Sequence, residues 1–156
     1  MKNLISPMLL VAGLAACTSG DVILDEPQAS YVQDVSTVLA GVKWSEARTV
    51  TVQLSEYQFE PSELVFDDGM PYRLLLRNVG TGSHTFVSEG FFEAIAAHKL
   101  ISPDGEIATP YLKSIEVPST TEKELHFVAV RKGTYPLECS VLLHDTFGME
   151  GQIDIQ

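Results

Sequence analysis

The chain has 156 residues, of which 21 are Asp or Glu and 10 are Lys or Arg, and its net charge at pH 7 is −11. This length accommodates one domain with short extensions. The excess of carboxylates leaves no basic stripe to neutralise phosphates, which excludes nucleic acid as a partner and favours a basic protein surface instead.

The first 16 residues have the pattern of a signal peptide. Lys2 precedes an apolar run that continues to Ala16, and this run is too short for a permanent membrane span. It closes with Leu-Ala-Ala followed by Cys17, which resembles a bacterial lipobox, in which the cysteine is lipidated and becomes the mature N-terminus. An ordinary signal peptide cleaved near Ala16 is the alternative.

The lipobox also predicts a location for the protein. It implies that Cys17 anchors the mature chain at the periplasmic face of the bacterial envelope, and Thr18 after it favours the outer membrane over the inner one. Lys2 is the only charged residue before Cys17, so cleavage changes the net charge from −11 to −12.

Lipidation of Cys17 excludes a disulfide, because Cys139 is the only other cysteine. A buried or metal-bound thiol is therefore expected at Cys139.

Residues 17–45 are predicted to form a lipid-anchored tether that contains a short helix. Ser30 is the expected N-cap, with Gln33 at the capping-box position and apolar residues at helical spacing as far as Val42. After Trp44 the apolar residues alternate, which indicates half-buried antiparallel strands. The alternating segments are 49–54, 72–77, 124–129, 135–139 and 152–155.

One segment interrupts this alternation. Residues Phe91 to Lys99 are predicted to form a short helical insertion, followed by a loop through Gly105. Short strands with regular turn signals and one helical insertion favour an all-β, Greek-key β-sandwich. The predicted domain covers residues 46–156, which is long enough to bury a core.

Four residues near predicted strand ends carry side-chain atoms that can bind a metal. Cys139, His144 and Met149 follow one another at five-residue steps in a loop between two predicted strands, and His84 begins another strand after a glycine loop. Two imidazoles, a thiolate and a weak thioether are the ligands of blue-copper sites, whereas structural zinc sites rarely use methionine. A core cysteine, a core methionine and exposed histidines are the simpler interpretation of each residue taken alone. Of the other histidines, we expect His126 to be exposed and His98 to have no metal role.

The segment Gly133-Thr-Tyr-Pro-Leu-Glu-Cys139, with its following loop and strand, resembles the C-terminal signature of the cupredoxin family. The spacing C-x4-H-x4-M is similar to that of rusticyanin and the auracyanins, and residues 56–61 and 83–86 fit the same family. The resemblance covers roughly residues 45–156. It implies a cupredoxin-like domain that binds one copper ion.

The resemblance assigns a role to each of these residues. It implies that His84 and His144 bind copper, as Cu⁺ or Cu²⁺, through ring nitrogens, Cys139 through its thiolate and Met149 as the weak axial ligand. It also implies a hydrogen bond from the Thr85 amide to the Cys139 sulfur. Many cupredoxins have Asn at the position of Thr85, so a tie between the two ligand loops would need the threonine hydroxyl here.

A second departure lies beside the second histidine. Leu142 and Leu143 replace the Pro-Gly that many cupredoxins carry before His144. We expect the two leucines and Phe147 to form an apolar docking patch for a transient redox partner, such as a c-type cytochrome. The alternative is that both leucines pack inward.

The predicted function is single-electron transfer by a monomeric type 1 copper protein, because a four-ligand site has no open position for a substrate. Copper sequestration, delivery or tolerance with the same ligands is the alternative, and a metal-free envelope lipoprotein is another. An enzyme is not expected. Glu138 and Ser140 flank Cys139 where multicopper oxidases need histidines, and four histidines are too few for the second copper site of a nitrite reductase.

Overall fold

In a computed structural model, residues 22–24 (backbone only), 30–108, 111–141 and 148–156 are described, and they form two facing six-stranded sheets. The strands in chain order are β1 (Val22–Leu24), β2 (Arg48–Ser55), β3 (Gln58–Glu60), β4 (Glu63–Phe66), β5 (Pro71–Asn78), β6 (His84–Val87), β7 (Ile95–Ser102), β8 (Gly105–Ile107), β9 (Leu112–Val117), β10 (Glu122–Ala129), β11 (Gly133–Glu138) and β12 (Glu150–Ile155). The first sheet has the order β1-β9-β6-β11-β12-β4 and the second β3-β2-β5-β10-β7-β8. The pairs β2–β5 and β4–β12 are parallel.

The alternation in the sequence produces the core between the sheets. In β5, Tyr72, Leu74 and Leu76 are buried because they face the opposite sheet. Aromatic rings fill the centre, where Phe66 contacts Phe127 with ring centroids 5.2 Å apart. Each fully buried side chain of this kind stabilises the fold by about 1.5–3 kcal/mol. All five predicted strands are present, and the all-β sandwich is confirmed.

The predicted helix over residues 91–99 is wrong in its second half. Helix α2 spans Glu89–Ala94, and β7 begins at the next residue, Ile95. The first three residues of β7 are all buried, which gives a continuous apolar run instead of an alternating one. Pairing with β10 decides the conformation there, because tertiary contacts override a short local pattern. His98 therefore lies in a strand.

The N-terminal helix is shorter than predicted. Helix α1 spans Val35–Leu39 and begins after Asp34, which has a left-handed conformation (φ 53°), so Ser30 is not its cap. A 3-10 turn follows at Trp44–Glu46. Among the described segments, no helix has the length and apolarity needed to cross a membrane.

This N-terminal segment covers the outer face of the second sheet. Apolar residues of α1, together with Trp44, pack against Ala96 and Val128 there. His126 lies on the same face and is only 7 % exposed. The expectation that His126 is exposed is therefore wrong, because the sequence pattern of β10 alone does not reveal that a second layer covers its polar face.

Candidate metal centre

Three of the four predicted ligands lie at one end of the first sheet. His84 begins β6, Cys139 directly follows β11 and Met149 directly precedes β12, and all three side chains are 0 % exposed. Strand β11 lies between β6 and β12, so the topology brings the three residues together. The amide of Cys139 donates a hydrogen bond to the carbonyl of Met149 (3.2 Å), which extends the β11–β12 ladder by one residue.

The remaining sequence-predicted sites fall outside the described residues, and they stay predictions. They are the ligand His144, the docking residues Leu142, Leu143 and Phe147, and the lipidation site Cys17 with its signal peptide.

Thr85 joins the two loops that carry His84 and Cys139. Its amide lies 3.4 Å from the Cys139 sulfur, which confirms the hydrogen bond that the family resemblance implied. Its Oγ1 accepts a hydrogen bond from the Ser140 amide at 2.7 Å and lies 3.6 Å from the same sulfur. The threonine hydroxyl thus connects the two loops, which an asparagine would otherwise have to do.

A carboxylate lies behind His84. Nε2 of the buried imidazole is 4.0 Å from Oε1 of Glu56, which places this nitrogen on the carboxylate side. The other ring nitrogen, Nδ1, is then the one that could face a metal. Metal-binding histidines usually direct their second nitrogen at a carboxylate or carbonyl, so this orientation suits a ligand.

Glu56 is anchored by the turn before β6. Its Oε1 accepts hydrogen bonds from the Thr81 amide (2.6 Å), the Thr81 hydroxyl (2.9 Å) and the Gly82 amide (3.1 Å). Its own backbone amide first, and then these donors, lower the pKa of Glu56 to about 2. The side chain is therefore an anion at neutral pH. Sequence reasoning missed this role, because residues 56–61 carry no signal of which amides the carboxylate binds.

The donor set fits copper. Among the described residues, no three side chains of His, Cys, Asp or Glu gather to hold a metal. His84 and Cys139 supply one nitrogen and one sulfur, Met149 supplies a thioether, and His144 is the predicted fourth donor. A thiolate with imidazole and thioether suits copper better than the oxygen-seeking Mg²⁺ or Ca²⁺. An N–H donor directed at the sulfur also suits a negatively charged thiolate.

No family model and no curated protein matches the chain. Among solved structures, auracyanin B matches with a TM-score of 0.50 and 16% identity over 88% of this chain and 95% of its own. A dithionite-reduced auracyanin from Roseiflexus castenholzii matches with a TM-score of 0.50 and 16% identity, over 70% of this chain and 98% of its own. A multicopper oxidase from Pseudomonas thermotolerans has a TM-score of 0.60 and 19% identity over 75% of this chain.

These similarities identify the fold. The chain spans only 31% of the Pseudomonas oxidase and 30% of a multicopper oxidase from Campylobacter jejuni, but nearly the whole of both auracyanins. At these identities the likeness concerns architecture alone. The chain has a cupredoxin-like β-sandwich, as its C-terminal motif predicts.

Proposed function

We propose that this chain is a mononuclear type 1 copper protein that transfers single electrons. The observation that carries the proposal is the 3.4 Å contact between the Thr85 amide and the Cys139 sulfur, at the end of the sheet where the buried His84 and Met149 also lie. The likeness to auracyanins over nearly their full length supports a protein that works as one cupredoxin-like domain and not as part of an oxidase.

Each ligand has a separate task in this proposal. His84 and His144 would hold the ion through ring nitrogens, Cys139 through its thiolate and Met149 through its weakly donating thioether. When bound, copper supplies a one-electron Cu⁺/Cu²⁺ couple. Cys139 and Met149 are packed in the hydrophobic core and His84 is fully buried, so these three side chains would resist rearrangement when the ion changes its oxidation state.

The docking part of the proposal rests on sequence and charge. Leu142, Leu143 and Phe147 flank His144 and would present an apolar contact area. The net charge of −11 would steer a basic redox partner, such as a c-type cytochrome, to a transient complex with the monomer. Lipidation at Cys17 would keep this exchange at the periplasmic face of the envelope, with the outer membrane favoured.

The visible spectrum of the copper-loaded chain tests the function. We expect an intense thiolate-to-Cu²⁺ charge-transfer band and reversible one-electron voltammetry. Cys139→Ser should abolish the band and leave a folded β-domain by far-UV circular dichroism, because the residue is one small side chain in a large core. A protein that binds copper but shows neither band nor reversible cycling would instead support copper sequestration or delivery.

A further inference from the structure

Glu56 connects the two sheets at the metal end of the sandwich. It lies between β2 and β3 of the second sheet, whereas His84 begins β6 of the first sheet. The 4.0 Å between Oε1 of Glu56 and Nε2 of His84 is too long for a hydrogen bond. It is short enough for the carboxylate charge to act on the imidazole.

The turn that leads into His84 is held from two sides. On one side, Glu56 accepts the three hydrogen bonds from Thr81 and Gly82 described above. On the other side, the buried Asn78 accepts a hydrogen bond from the Gly80 amide (2.9 Å) and donates to the Gly82 carbonyl (2.8 Å). The position of His84 therefore depends on a turn with few remaining degrees of freedom.

Gly80 shows how closely these groups approach one another. A Cβ atom at Gly80 would lie 2.8 and 2.9 Å from the two carboxylate oxygens of Glu56, and 2.9 Å from Nε2 of His84. A larger residue fits there only if both side chains move away from it or the backbone at Gly80 shifts. Because Gly80 has no side chain, the Glu56 carboxylate and the His84 imidazole can approach each other to 4.0 Å.

We propose that Glu56 is a positioning residue of the metal centre, which fixes the Thr81–Gly82 turn and the His84 ring and stabilises the oxidised metal through its charge. The charge effect rests on the proposed copper function, whereas the effect on the turn does not. A negative charge behind a ligand imidazole favours the more positive metal ion, so it lowers the reduction potential.

Glu56→Gln separates the charge from the hydrogen bonds, because glutamine keeps the length and one acceptor oxygen. In the copper-loaded chain we expect the equilibrium to shift about three- to tenfold towards Cu⁺, which raises the potential by about 30–60 mV for one electron. Glu60→Gln is the matched control, since Glu60 is an exposed carboxylate on the neighbouring strand β3. It should shift the equilibrium less than about twofold, because its carboxylate accepts a hydrogen bond from Gln58 and not from the turn that leads into His84. The Glu56 carboxylate is also exposed to solvent (40 %), but it lies only 4.0 Å from the imidazole, where screening is weakest.

Amide hydrogen exchange in the metal-free chain provides the second measurement. Glu56→Ala should accelerate exchange at Thr81 and Gly82 about tenfold or more, and Glu56→Gln should leave it near the wild-type rate. A Glu56→Gln potential equal to that of Glu60→Gln, or unchanged exchange in Glu56→Ala, would overturn the role of Glu56. A wild-type chain that forms no coloured, redox-active site would instead refute the copper function, and the exchange result would still test the turn.

Discussion

The hydroxyl of Thr85 holds Ser140 in place beside the buried thiol. Oγ1 of Thr85 accepts the Ser140 amide at 2.7 Å and lies 3.0 Å from the Ser140 hydroxyl. We expect Thr85→Val to lower the free energy of unfolding of the metal-free protein by about 0.5–1 kcal/mol, because the Ser140 amide exchanges its protein acceptor for water. Thr85→Ser keeps the hydroxyl and should lose less. Urea denaturation measures both variants, and equal stability of the two would contradict the tie.

Gly80→Ala should disturb the candidate metal centre, because the added methyl group is too close to both the Glu56 carboxylate and the buried His84 ring. We expect a destabilisation of about 1–3 kcal/mol and weaker copper binding. Gly82→Ala is the control, since a Cβ there meets nothing within 4 Å. Thermal unfolding and copper titration compare the two variants, and similar behaviour of both would show that the contact at Gly80 is unimportant.

Met149→Leu should bind copper and raise its reduction potential. Met149 is fully buried, so a leucine of similar volume keeps the packing but removes the thioether that stabilises the oxidised ion. Met70→Leu is the control, because Met70 is a partly buried methionine packed against the same core but distant in sequence from the predicted ligands. An unchanged or lowered potential in Met149→Leu, measured by voltammetry, would exclude Met149 as the axial ligand.

The strands are predicted well from the sequence, because the alternation of apolar and polar residues depends only on whether each side chain faces the core. The alternation of Tyr72, Leu74 and Leu76 is visible without knowing the partner strand. In contrast, Ile95 begins a strand whose first residues are all buried, and such a run is also typical of a buried helix. Only the pairing with β10, which is distant in the chain, distinguishes the two.

The candidate metal centre shows the same difference between features that are visible in the local sequence and features that depend on distant contacts. The ligand spacing is visible in one local motif, and the hydrogen bond between Thr85 and Cys139 is implied by the resemblance of that motif to the cupredoxin family. The contact of Glu56 with Thr81 joins the β2–β3 turn to the turn between β5 and β6, 25 residues further along the chain, and no spacing in the sequence encodes it. The burial of His126 likewise depends on the layer formed by Trp44 and α1.

Trp44, the only tryptophan, should report the protonation of His98. Their rings are stacked, with centroids 4.8 Å apart and an interplanar angle of 11°. Burial first, and then the positive charges of Lys99 and His126, lower the pKa of His98 below its ordinary 6.5, while Glu106 opposes the shift. The fold therefore favours the neutral ring. The neutral His98 ring contributes to the free energy of unfolding in full above about pH 6.5. This contribution is lost as the pH falls through the lower pKa of His98 in the folded state.

We expect acid to quench the fluorescence of Trp44 in the metal-free chain, with a midpoint below pH 6.5, because a protonated imidazole stacked on an indole is an effective quencher. His98→Gln should remove most of this transition while the β-domain stays folded. The His126 ring lies 5.4 Å from Trp44 and is tilted by 42°. His126→Gln should keep the transition and move its midpoint upward, since His126 lowers the pKa of His98 in the wild type. A midpoint at or above 6.5, or a full transition in His98→Gln, would assign the quenching to another group.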